Sequence, residues 1–225
     1  MHHTLKKNQL HVAVDLLILT IRDGQLCVLL SQRTEEPWKG CWALPGKLMG
    51  LEESAEACAE SLLEEMLPVS GAYMEQLYTF SSVERDQRGR VISIAYLVIV
   101  PWPTLQPALE MPRVTLACFG MDAIAGQQLA FDHAQMIRTA LLRLRGKIGY
   151  TEVSFQFLSQ PEAFTLGQLQ TVFEAVLGEK LDTSNFRRSI LSRYETTGRI
   201  AQTESAVRQG RGRPAALYRY QPEDP

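Results

Sequence analysis

Between Gly46 and Glu65 the chain reads GKLMGLEESAEACAESLLEE, and this run limits the fold more than any other. From Ala55 the apolar residues Ala55, Cys58, Ala59, Leu62, Leu63 and Met66 recur at intervals of three and four, the spacing of one helix face. Glu53, Glu56, Glu60 and Glu64 fall opposite. The pattern predicts a helix from near Ser54 that ends before Pro68, one side buried and the other densely acidic. Any solvated amphipathic helix would show as much. What sets this one apart is WALPG just upstream and the interval from Gly46 to Glu52.

Those two features resemble the Nudix box, G-x5-E-x7-R-E-U-x-E-E-x-G-U with U aliphatic. Gly46, Glu52, Leu62, Glu64 and Glu65 fall in place, whereas Glu60, Ser61, Leu67 and Pro68 depart from it. A Nudix site gathers carboxylates on one helix to hold Mg²⁺, which neutralises phosphate charge and activates a water. The resemblance implies that Glu64 and Glu65, with Glu52 and Glu60 nearby, would hold any Mg²⁺; no cofactor is required. Ser61 replaces the carboxylate that ligates metal or acts as base, and Glu60 replaces the arginine that orients it. Hydrolysis is therefore expected to be weak or absent, so the chain is read as a non-enzyme.

The chain has 225 residues and a net charge of −2, enough for one large domain or two small ones. That balance hides an asymmetry. Residues 1–149 hold 14 Lys and Arg against 16 Asp and Glu, but residues 183–219 hold 8 arginines against 2 glutamates, which points to an anionic partner for that tail. Cys27, Cys41, Cys58 and Cys118 form no C-x-x-C pair, so neither a zinc site nor a disulfide framework is suggested. The apolar run from His11 to Ile21 is interrupted by Asp15 and reads as a strand, without a cleavage site or a membrane-spanning length. A cytoplasmic protein with no membrane partner is expected.

His11 to Ile21 and Leu26 to Ser31, separated by Asp23-Gly24, read as a hairpin. Two more β-rich runs, Tyr73 to Phe80 and Arg90 to Val100, flank a charged loop. Pro101 to Pro112, with four prolines, reads as irregular surface. Asp132 with Gln135 reads as a capping box that opens a helix with Ile137, Ala140, Leu141 and Leu144 on its apolar stripe. This order indicates an α+β fold: a Nudix α/β/α sandwich-type domain over 1–148 and a winged helix-turn-helix domain over 149–225.

In the second part Thr151 to Leu158 alternates like a short strand. Thr165 with Gln168 caps a helix that buries Leu166, Leu169, Val172, Phe173, Val176 and Leu177 and stops at Gly178. A second helix, about Thr183 to Tyr194, turns Phe186, Ile190 and Leu191 inward. Two extended pieces then flank the glycine-rich loop Arg208 to Pro214. Helix, turn, helix, hairpin is the order of a winged helix, whose second helix enters the major groove. Asn185, Arg187, Arg188 and Arg193 are its candidate base-edge contacts, with Arg211 or Arg213 against backbone phosphates or in the minor groove.

The loop ERDQRGRVIS, residues 84–93, places Arg85, Arg88 and Arg90 beside a strand carrying Ser93, and guanidinium forks suit a diphosphate. Arg33, Lys47, Trp42, Tyr78 and His133 complete the candidate effector-binding set, supplying charge and stacking surface. With the box, this loop, LAFDHAQMI, FTLGQLQTVFEAVLG, NFRRSIL and GRPAALYRY, the chain closely resembles the Nudix-related transcriptional regulators of NAD metabolism from about residue 10 to residue 220. That resemblance implies a homodimer on a palindromic double-stranded DNA operator. It implies an effector that is ADP-ribose or a related NAD-derived nucleotide, and repression of NAD synthesis and salvage genes that the ligand relieves. Some relatives regulate sugar catabolism instead. The alternatives are an active ADP-ribose pyrophosphatase with an accessory DNA-binding tail and an RNA-associated Nudix protein.

Overall fold

The computed structural model describes residues 9–67, 71–110, 115–207 and 214–222. Its centre is a mixed seven-stranded sheet of β1 (Leu10–Arg22), β2 (Gln25–Gln32), β3 (Trp42–Ala43), β4 (Gly46–Leu48), β5 (Tyr73–Phe80), β6 (Arg90–Ile99) and β7 (Leu116–Gly120). The main path runs β3-β2-β1-β6-β5; β4 adds to β1 and β7 to β2. β1 lies parallel to β6, from Leu10↔Arg90 to Leu19↔Ile99, and its other pairings are antiparallel. The β1–β2 hairpin turns at Asp23 and Gly24, with φ of 51° and 74°, the left-handed pair that an Asp-Gly turn supplies.

β1 is apolar on both faces because both faces are covered. Val14, Leu16 and Ile18 join Cys58, Ala59, Leu62 and Leu63 of α1 (Ala55–Met66), while Leu17 and Leu19 join Met136, Ala140 and Leu144 further along the chain. These last three belong to α4 (His133–Ile148), so the sheet is sandwiched between α1 and α4. Each fully buried leucine contributes about 1.5–3 kcal/mol through its removal from water. Ser54 caps α1 by accepting the Ala57 amide, as its position before the apolar stripe predicts.

The proline-rich stretch corrects the irregular-surface expectation. It forms α2 (Trp102–Leu105) and a 3₁₀ turn (Gln106–Glu110) that bury Leu105 and Ala108, and α3 (Met121–Ile124) follows β7. Pro103 sits in the first turn of α2, where a missing amide costs nothing.

Beyond α4, residues Glu152–Phe157 form a 3₁₀ turn rather than the expected strand. Their alternation reflects packing: Phe155 stacks on Tyr220 at 4.3 Å and meets Phe164 and Tyr194 edge-on. α5 (Leu166–Leu177) carries the complete Thr165–Gln168 capping box and ends at Gly178 with φ 79°. α6 (Thr183–Ile190) is capped by Asp182 and continues as a π-helical turn, Leu191–Glu195. Glu174 ties the α5–α6 turn by accepting from the Leu181 amide at 3.1 Å and from Lys180 Nζ at 2.6 Å; the lysine and that amide hold its carboxyl down at about 2. β8 (Ile200–Val207) and β9 (Ala215–Tyr220) form the antiparallel hairpin, latched to Phe164 by its two backbone bonds to Tyr218. The α4 side of the sandwich and this helical unit share one hydrophobic core: Leu144 and Ile148 lie in the same cluster as Val172, Val176 and Tyr194.

Candidate functional site

Where β1, β4 and the N-terminus of α4 converge, a cleft of about 270 Å³ opens, and four of its lining residues are Arg33, Lys47, Arg85 and Arg88. Asp15, Glu35, Asp86, Val91, Phe131 and His133 line it too. A cleft of similar size between the β1–β2 hairpin, α4 and α5 is lined by Asp122, Glu174 and Glu179 against Arg145 and Lys180, an acidic excess unsuited to a diphosphate.

The floor of the first cleft is a buried charge network. Arg85 grips Asp132 through two parallel bonds, Nε to Oδ2 at 3.1 Å and Nη2 to Oδ1 at 2.8 Å, and lies 3.6 Å from Asp15. This overturns the capping-box expectation for Asp132. It occupies the N-cap position of α4 but makes no side-chain cap, because its carboxylate is spent on Arg85. Asp15 also accepts from Ser93 Oγ at 2.5 Å and lies 3.8 Å from His133 Nε2. His133 Nδ1 accepts the Leu44 amide at 2.9 Å. Burial pushes the His133 pKa down, with Asp15 and Asp132 pulling the other way.

The rim is arginine on aromatic. Arg33 and Arg88 lie over the Phe131 ring at 4.9 and 5.4 Å, and Trp38 meets the same ring edge-on at 6.5 Å. Phe131 and Trp38 both have positive φ, 51° and 70°, a conformation that costs aromatic residues about 1–3 kcal/mol and concentrates at functional sites. Arg88 is itself held by Asp86 at 2.7 and 3.0 Å. Burial alone would raise the Asp86 carboxyl, but the bonds from Arg88 outweigh it and leave it low. Burial, then the neighbouring Arg88, lowers Arg33.

The effector-binding candidates therefore divide. Arg33, Lys47, Arg85, Arg88 and His133 line the cleft, and Ser93 braces it from below through Asp15. Trp42, Tyr78 and Arg90 lie outside its lining. Trp42 packs edge-on against Phe119 at 4.8 Å as part of the core; Tyr78, 57% exposed, contacts Phe80; Arg90 bonds the Ser82 carbonyl. Asp15, Phe131 and Trp38 were not singled out by sequence. Asp15 reads there as an interruption of a strand, and no pattern announces an aromatic at positive φ.

Of the box residues, Gly46 is required by contact: a Cβ there would lie 2.1 Å from Asp15 Oδ1, since β4 pairs Gly46 directly with Asp15. Glu52, Glu60, Glu64 and Glu65 are exposed on or before α1. They do not fit a Mg²⁺ site well. Among the described residues no three His, Cys, Asp or Glu side chains converge as metal ligands, and Glu65 is already engaged by Lys47 Nζ at 3.3 Å.

In the C-terminal unit α6 leaves Asn185, Arg187 and Arg188 exposed while Phe186 and Ile190 are buried; Arg193 is exposed on the turn that follows. Asn185 Oδ1 accepts from Arg188 at 2.7 Å, and Arg193 rests near the Tyr194 ring. Arg187 stands apart. It reaches the Tyr218 hydroxyl at 3.5 Å and lines the cleft between α6 and the hairpin. Arg211 and Arg213 lie outside the described residues.

Fold and site together define a Nudix-related regulator: a Nudix-type sandwich with a cation-lined cleft, carrying a winged helix. Residues 155–220 match the NrtR DNA-binding winged helix domain. The chain is 32% identical over 219 residues to the ADPR responsive transcriptional repressor NtrR of Acinetobacter baylyi, covering 95% of this chain and 83% of that one. It superposes on Shewanella oneidensis NrtR complexed with a 27mer DNA at a TM-score of 0.82 and 34% identity, with 93% of each chain covered. The NUDIX domain of the same Shewanella protein, complexed with ADP ribose, matches at a TM-score of 0.53 and 33% identity, covering 62% of this chain and 90% of that one. The chain belongs to the NrtR family of Nudix-related transcriptional regulators.

Proposed function

We propose that this protein is an ADP-ribose-responsive repressor of NAD synthesis and salvage genes, acting as a homodimer on a palindromic operator, with a Nudix domain that binds its nucleotide without cleaving it. The observation that carries this reading is the union, in one chain, of the cleft bearing Arg33, Lys47, Arg85 and Arg88 with a winged helix whose second helix exposes Asn185 and Arg188. A Nudix-domain relative is bound to ADP ribose and a full-length relative to DNA, each above 30% identity.

The cleft supplies what a nucleoside diphosphate needs. Arginine forks face the phosphates, the Phe131 ring offers a stacking surface, and Asp132 and Asp86 hold Arg85 and Arg88 in place before the ligand arrives. Hydrolysis lacks its base: Ser61 has no carboxylate to activate a water.

Helix α4 is the connection to DNA. At one end Asp132 and His133 belong to the cleft network; about 24 Å further on, the length of a 16-residue helix, its last turns touch the reader domain. There Arg145 Nε donates to the Val176 carbonyl of α5 at 2.9 Å and Thr151 O accepts from Tyr194. A ligand that draws Arg85 or Arg88 toward its phosphates shifts the N-terminus of α4, and the shared core passes that movement to α5. Ligand releases DNA only by binding the DNA-incompetent arrangement more tightly.

The test is fluorescence anisotropy with labelled duplexes from upstream of this gene and its neighbours, at a stated salt concentration, with and without ADP-ribose. Specific binding to a pseudo-palindrome, weakened by ADP-ribose, is expected, with no AMP or ribose 5-phosphate released on prolonged incubation with Mg²⁺. Binding indifferent to duplex sequence, or turnover abolished by Glu64→Gln, would defeat the reading.

A further inference from the structure

Lys47 belongs to two structures at once. Its backbone is fixed in β4 opposite Val14, and its side chain crosses to α1, where Nζ donates to Ser61 Oγ at 2.9 Å and to Glu65 Oε1 at 3.3 Å. Ser61 donates to the same carboxylate oxygen at 3.2 Å, closing a three-membered polar ring. Ser61 and Glu65 stand one turn apart on one face of the helix, so the ammonium sits against a rigid surface. The lysine side chain is 28% exposed, far less than a free surface lysine, and it lines the arginine-bearing cleft.

The charge balance shows what this placement achieves. Four cationic side chains line the cleft against three carboxylates, so removing Lys47 would cancel the positive excess. Behind it the Glu65 face of α1, a helix that also carries Glu56, Glu60 and Glu64, would repel a diphosphate. Some cation has to stand between that face and the phosphates. A serine in place of a carboxylate leaves too few hard oxygen donors for Mg²⁺ there, and Glu65 is already taken.

We propose that the Lys47 ammonium is the resident cation of this cleft, occupying the place where a divalent ion would otherwise screen α1 from a bound diphosphate. The ligand half of this inference rests on the nucleotide-binding reading above; the exclusion of metal does not. The exchange has a chemical consequence. An ammonium donates hydrogen bonds to phosphate oxygens as a metal attracts them, but it offers no open coordination position on which a water would be acidified. The cleft can then hold a diphosphate without consuming it, as a sensor requires.

Two calorimetric titrations of the full-length protein test this. In the first, Mn²⁺ alone is added to metal-free protein. No stoichiometric site in the micromolar range is expected; such a site, lost in Glu65→Gln, would overturn the proposal. In the second, ADP-ribose is added in EDTA and again in excess Mg²⁺. Equal affinity in both is expected. Lys47→Met should bind about tenfold or more weakly in both, the effect of losing a charge-assisted bond, with its unfolding midpoint checked separately. Lys47→Arg, which keeps the charge, should recover most of that loss. A tenfold gain on adding Mg²⁺, or Lys47→Met binding as tightly as the unaltered protein, would overturn the proposal. If ADP-ribose binds under neither condition, the ligand half falls together with the nucleotide reading, and the Mn²⁺ titration alone decides whether Lys47 excludes a metal.

Discussion

The two arginine-bearing surfaces of this molecule are built on opposite principles. In the cleft the guanidinium groups are matched to carboxylates: Arg85, with a side chain only 4% exposed, to Asp132 and Asp15, and Arg88 to Asp86. On α6 Arg188 stands in solvent, bonded to Asn185 one turn away, and the helix beneath buries Phe186 and Ile190. A cleft for a small anion must be formed before the ligand arrives, because one ligand cannot repay the ordering of several long side chains. A DNA-reading face works differently. The duplex supplies many phosphates at once, and loosely held arginines keep their freedom to find base edges. Under the proposed function, arginine serves as structure in one domain and as reader in the other.

The sharpest way to break this comparison is to remove a cleft arginine. Arg85→Ala leaves Asp132 and Asp15 buried without their cation, and a loss of about 3–5 kcal/mol in folding stability is expected, measured by urea unfolding. A loss under about 1 kcal/mol, the scale of an exposed pair, would mean that water already shares these charges and the cleft is not preformed. On the other side, Arg188→Ala should leave stability within about 0.5 kcal/mol of the unaltered protein. It should weaken operator binding by about 1–3 kcal/mol, the range for a lost base contact, without changing ADP-ribose affinity. An equal loss of both affinities would dissolve the division of labour between the surfaces.

Legibility in the sequence followed the same divide. Local signals came through because single residues carry them: Ser54 as a helix start, Thr165 as a cap, Gly178 as a stop, Asp23-Gly24 as a turn, and the stripes of α1 and α5. The arginines of α6 were readable for the same reason, being exposed on a helix whose apolar side is plain. The cleft was only half readable. Arg33, Lys47, Arg85, Arg88 and His133 could be gathered by their chemistry, but Asp15, Asp132 and Phe131 take their roles from partners 43 to 118 positions away. Asp132 carries every local mark of a cap and loses that task to Arg85, a contact between residues 47 apart that no window of sequence contains. Trp42 and Tyr78 show the reverse. An aromatic near a cleft suggests stacking, yet only the fold shows that Trp42 is already packed against Phe119. The strand expected at residues 151–158 failed because the alternation of Val153, Phe155 and Phe157 serves the packing around an aromatic cluster and, among the described residues, has no partner strand.

The smallest effect concerns His133, a titratable residue of the cleft that burial keeps uncharged. His133 accepts the Leu44 amide at Nδ1, so a proton placed there would break a buried bond and set a further cation close to Arg85 and Arg33. Burial, the largest influence, holds its pKa below the ordinary 6.5; Asp15 and Asp132 oppose that shift without cancelling it. The unfolded chain therefore takes up this proton near pH 6.5 while the folded protein still refuses it. Between 6.5 and the lower folded value the unfolded state binds more protons, so stability falls as pH falls, by at most about 1.4 kcal/mol per pH unit, and levels off below that value. Above 6.5 the residue contributes no pH dependence. Asp86, also shifted down, acts in a separate window, losing its contribution only as pH drops below about 3.8. His133→Asn keeps an acceptor for Leu44 and removes the titration, so its stability should be flatter than that of the unaltered protein from pH 6.5 to 5, measured by urea unfolding at each pH. Parallel curves would show that the imidazole is hydrated, and the cleft floor would then be as open to water as the face of α6.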